Sequence, residues 1–112
     1  MDAETWASID KLVAWLDAKT TLAPEVELLL RLLKVSGEAG EVADAVDGVY
    51  GHNPRKGFTH TWEDVDRELC DVILTGMVAL RSRNADAAKV FSGHLTKVLG
   101  RSLDSSAAWS AS

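Results

Sequence analysis

The sequence predicts an all-α protein, a four-helix bundle, and three observations carry that expectation. Apolar residues recur at intervals of three and four in four separate stretches, as amphipathic helices require. Helix-starting and helix-ending residues separate the stretches, notably Pro24, Thr61 and the Gly-containing segment 51–60. Two stretches, 28–50 and 65–80, are apolar on more than one side, so each is expected to be buried among several neighbours.

At 112 residues the chain makes one domain, 1–112, small enough that pairing with a second copy would aid stability. An apolar fraction of 46% with 26% charged residues excludes a disordered chain. The net charge of -5, without a dominant basic patch, argues against nucleic-acid or anionic-membrane binding and leaves an isolated nucleotide as a permitted ligand. Cys70, the single cysteine, lies in an apolar run where a small buried hydrophobe is expected. With no disulfide framework, no signal-peptide pattern and no apolar span of about 18 residues, a cytoplasmic protein outside the membrane is expected.

The first helix is expected over about 2–18, with Trp6, Ile9, Leu12, Val13 and Leu16 on one face. Trp6 and Trp15 are read as packing residues, because aromatics at helical spacing usually supply contact area. Thr20 to Ala23 leads to a second helix that begins at Pro24, whose missing N–H is harmless in a first turn, and runs to about Val49. The segment GHNPRKGFTH, residues 51–60, reads as a loop carrying Arg55 and Lys56 without a neighbouring acid. These two are candidate contacts to phosphate. Thr61, followed by Glu63 and Asp64, reads as the cap of a third helix ending near Arg81 to Arg83, where cations suit the carbonyl end. Trp62 beside that cap is either a packing residue or a contact to a nucleotide base at the loop edge. Asn84 or Asp86 caps a fourth helix with Ala87, Val90, Phe91, Leu95 and Val98 on its apolar side. The Ser/Ala-rich tail, 103–112, is expected to be flexible.

The third helix holds the most informative stretch. From Leu69 to Leu80 its only charge is Asp71, and Glu68 stands immediately before. Asp64, Glu68, Asp71 and Thr75 project along one line of the helix surface. A carboxylate between two apolar faces costs several kcal/mol unless it is paired or neutralised, so Asp71 is expected to need a cation. The second helix repeats the design with Glu38 and Glu41, a rise of about 4.5 Å apart, with the small Ala39 and Gly40 between them. Four carboxylates from two facing helices make an all-oxygen site, suited to Mg²⁺, with Mn²⁺ possible, and unsuited to a soft metal. Glu38 and Glu68 are each followed three residues later by an acid and not by His, which disfavours a di-iron centre and leaves hydrolysis at a phosphate as the expected chemistry.

The pair Glu38-Ala-Gly-Glu41, a spacer, the pair Glu68-Leu-Cys-Asp71, and the phrases GEVADAV and ELCDVI around them resemble the MazG-like all-α nucleoside triphosphate pyrophosphatases. The resemblance covers about residues 29–101. It implies a helical bundle assembled as a homodimer or homotetramer that cleaves a nucleoside triphosphate into monophosphate and pyrophosphate. It further implies that Glu38, Glu41, Glu68 and Asp71 bind magnesium, one of them also orienting the attacking water. Of the family's Lys plus Asn-Arg element near the C-terminus, Lys97 and Arg101 are kept as substrate contacts. Gly37 stands where many members carry a second acid. That departure favours the competing expectation, a non-catalytic helical interaction or nucleotide-sensing module that retains the bundle.

Overall fold

The computed structural model describes residues 1–103, so the expected tail falls outside the described residues save for Leu103, which ends a helix. Four helices follow one another: α1 (Ala3–Lys19), α2 (Pro24–Tyr50), α3 (Trp62–Arg83) and α4 (Ala87–Leu103).

Local chemistry sets their ends. Asp2 caps α1, its Oδ1 accepting the Thr5 N–H at 2.7 Å. Pro24 opens α2, and Gly51 closes it at φ 60°, a conformation that costs an L side chain but not glycine. Thr61 and Asp64 form a reciprocal capping box at the start of α3: the Thr61 N–H donates to Asp64 Oδ2 at 2.8 Å, and the Asp64 N–H donates to Thr61 Oγ1 at 3.3 Å. Before α4 the Asp86 N–H donates to Asn84 Oδ1 at 2.8 Å.

The architecture is centred on α3, against which α1, α2 and α4 each pack. Trp6, Ile9 and Val13 of α1, Met77 of α3 and Ala87 of α4 form the core, flanked by Val78, Leu80 and Phe91. The Trp6 and Phe91 rings meet at 6.3 Å, tilted by 58°. Each large apolar side chain buried here contributes about 1.5–3 kcal/mol. The α2–α3 pair is antiparallel: Arg31 meets Ser82 at one end, and Gly48 meets His60 at the other.

Arg31 interrupts the leucine run of α2 and is 8% exposed. Its Nη1 lies 2.9 Å from Asp17 Oδ1 and donates to Ser82 Oγ at 3.0 Å, while Nη2 reaches Glu27 Oε1 at 3.3 Å. One guanidinium thus ties α1, α2 and α3 together. It replaces a hydrophobic contact with directional ones, which fixes how the helices register.

The expectation that 65–80 is buried on every side is corrected. Leu69, Ile73 and Leu74 are exposed, as is Cys70, because α2 covers one side of α3 and the helices carrying the core cover another. Leu29 and Leu33 of α2 are 58% and 67% exposed. Among the described residues no helix is long and apolar enough to cross a membrane.

Candidate metal centre and cleft

The antiparallel packing of α2 on α3 brings three of the four expected acids together. Glu38 and Glu41 lie three residues apart on α2, and Glu68 faces them from α3; each offers an oxygen, and these atoms all lie within 4.8 Å of one another. Glu38 and Glu68 are half-buried and Glu41 is exposed. Glu68 Oε2 is shut off from solvent and has no hydrogen-bond partner. A buried carboxylate oxygen left in that state costs free energy unless a cation or donor completes it.

The electrostatics point the same way. The Glu38 carboxyl is pushed above its ordinary value of 4.5, first by partial desolvation and then by the charges of Glu41 and Asp71; Lys34 opposes the shift. Acids gathered this closely form a site of concentrated negative potential. An all-oxygen donor set with one orphaned oxygen fits Mg²⁺ or Mn²⁺ and offers nothing to a thiophilic metal.

Asp71 is placed differently from the expectation that singled it out. It is exposed and lies outside the tight group of three, one helical turn beyond Glu68, but close enough for its charge to act on Glu38. The premise of an acid trapped between two buried faces fails, since Leu74 and Cys70 beside it are exposed.

A cleft of about 730 Å³ opens from the acids toward the 51–61 connection. Glu41 and Glu68 line it, with Asp44 from α2 and Asn53, Lys56 and His60 from the connection. Asp44 and Asp47, which also reaches the cleft, were not singled out in the sequence, although they extend the Glu38, Glu41 row at the same three-residue interval. Lys56 lines the cleft, whereas Arg55 is exposed outside its lining. Trp62 also lies outside it, 55% exposed and meeting the Tyr50 ring edge-on at 6.0 Å. Lys97 and Arg101 are exposed on α4, which packs on α3, and neither is among the residues lining the cleft.

The chain matches no protein-family model, no curated protein and no solved structure.

Proposed function

We propose that this protein is a magnesium-dependent nucleoside triphosphate pyrophosphohydrolase of MazG-like type. One observation carries the reading: Glu38, Glu41 and Glu68 converge on a single point and leave a buried Glu68 oxygen without a partner, and two of them, Glu41 and Glu68, border a nucleotide-sized cleft. The motif resemblance supplies the reaction, hydrolysis between the α- and β-phosphates to a monophosphate and pyrophosphate.

Glu38, Glu41 and Glu68, with Asp71 at their edge, would hold the metal. When bound, Mg²⁺ supplies charge neutralisation and polarisation of the phosphoryl group. The chain's own residues supply position and proton transfer. One of these acids would also orient the attacking water and take its proton. Lys56 in the cleft offsets phosphate charge, and the acids keep the polyphosphate from binding without a metal.

The same reading includes self-association. Leu29 and Leu33 of α2 and Leu69 and Ile73 of α3 form apolar surface that a homodimer or homotetramer would cover. Light scattering at micromolar concentration is expected to report an oligomer, and a monomer there refutes this part.

The reaction is tested with a panel of ribo- and deoxynucleoside triphosphates and Mg²⁺, scored separately for pyrophosphate and orthophosphate. Pyrophosphate from at least one substrate is expected. Binding of triphosphates without pyrophosphate release from any of them would select the nucleotide-sensing alternative.

A further inference from the structure

The connection between α2 and α3 has one conformation written into it. Thr59 and His60 donate their backbone N–H groups to the Gly48 carbonyl at 3.0 and 3.4 Å, which lays the end of the loop against α2. Gly48 is buried, and a Cβ there would stand 2.5 Å from Thr59 Oγ1 and closer still to His60 Nδ1. Only glycine admits that approach. Farther along, the Phe58 ring packs over Gly51, where a Cβ would stand 2.9 Å from the ring. Asn53 closes the tip: its Oδ1 accepts the Arg55 N–H at 3.0 Å, and its carbonyl accepts the N–H groups of Lys56 and Gly57 at 3.1 and 2.9 Å.

The result of these contacts is a fixed backbone position for Lys56, whose exposed side chain lines the cleft. The cleft it lines carries acids at Glu41, Asp44, Asp47 and Glu68. A polyphosphate drawn to a metal at those acids meets repulsion from them unless a cation is held on the opposite wall. A loop that is already ordered loses little entropy on binding, so the contact retains more of its gross strength.

We propose that residues 51–61 form a preorganised anion-binding strap, with Gly48 as the positioning residue that seats it and Lys56 as the group that meets the outer phosphates of a polyphosphate. The proposal rests on the hydrolase reading for the identity of its ligand. It goes beyond that reading in assigning Gly48, Asn53, Thr59 and His60 to the seating of Lys56, and in separating Lys56 from its neighbour Arg55.

The probe is inorganic tripolyphosphate, titrated calorimetrically into the full chain in saturating Mg²⁺. Wild type is expected to bind. Lys56→Ala is expected to weaken binding at least about tenfold, as loss of a hydrogen bond to a charged group does. Lys56→Arg should recover most of it, and Lys89→Ala, the same charge change on exposed α4, should leave it unaltered. Gly48→Ala is expected to weaken binding at least about fivefold while the Mg²⁺-induced rise in melting temperature persists, because the acids are untouched. Should Gly48→Ala fail to fold, Asn53→Ala replaces it, with faster amide exchange at 55–57 as the sign of a loosened strap. Wild type that does not bind tripolyphosphate, a Lys56→Ala protein with wild-type affinity, or a loosened strap with wild-type affinity each overturns the proposal. Parallel pyrophosphate assays separate the two readings. Lys56-dependent binding without pyrophosphate release keeps the strap and refutes the hydrolase; pyrophosphate release with binding indifferent to Lys56 and Gly48 does the reverse.

Discussion

The two halves of α2 each hold charge against α3, and they hold it in opposite ways. In the N-terminal half Arg31 is buried, and its two terminal nitrogens are met by Asp17, Glu27 and Ser82. In the C-terminal half Glu38 and Glu41 meet another acid, Glu68, and the charge of Lys34 only partly offsets theirs at Glu38. The first arrangement is largely explained as structure, since opposite charges meet, although Arg31 Nε, like Glu68 Oε2, is buried without a partner. The second is less favourable as structure alone, which is why the proposed metal is placed there.

The largest effect expected from this contrast is on catalysis at the acid end. Glu68→Ala should lower pyrophosphate release by at least about 100-fold with little change in helical content, as read by circular dichroism. If activity survives, the acids are not the reactive centre. At the other end Arg31→Met should cost about 2 kcal/mol in urea denaturation, below the penalty for breaking a fully buried pair because Asp17 is itself exposed. Equal stability of the two proteins would remove the distinction between the halves.

Metal should sharpen it further. Mg²⁺ at about 100 times its dissociation constant should stabilise wild type by about 2.7 kcal/mol, and Glu38→Gln should reduce that gain while Arg31→Met leaves it. Thr61→Ala, at the capping box between the cleft and α3, should cost about 1 kcal/mol whether or not metal is present.

The smallest effect is the dependence on pH in chelator. The folded-state pKa of Glu38 lies above 4.5, so its contribution is fully present below that value and is lost as pH rises through the folded pKa. Glu38→Gln should therefore gain on wild type as pH is raised toward about 7. Asp64 behaves oppositely. Its carboxyl is held below 3.8 by its hydrogen bonds with Thr61, and its contribution is lost as pH falls through the lower folded value. Urea melts of wild type, Glu38→Gln and Asp64→Asn across this range check both signs.

Much of this was legible in the chain because it is local. Helical spacing around Trp6, Ile9 and Val13, the Thr61 to Asp64 box and the loop at 51–60 each depend on residues within a few positions of one another, and the four helices begin and end close to the expected points. The pairs at Glu38 and Glu68 were legible for the same reason, since three residues on a helix lie on one side whatever surrounds it. The sequence by itself therefore determined the helices, their caps and the pairing of acids along each helix. Which charge is buried was decided by tertiary structure alone. Asp71 and Arg31 each stand in an apolar run, yet Asp71 is exposed and Arg31 is buried, because burial follows from which helix covers which face. Arg31 finds Asp17 across the α1–α2 turn and Ser82 on α3, 51 residues away in sequence. Lys56 lines the cleft on a loop that folds back onto Gly48. Periodicity records how apolar a face is; the partner that covers the face, or answers a charge on it, is fixed by long-range packing.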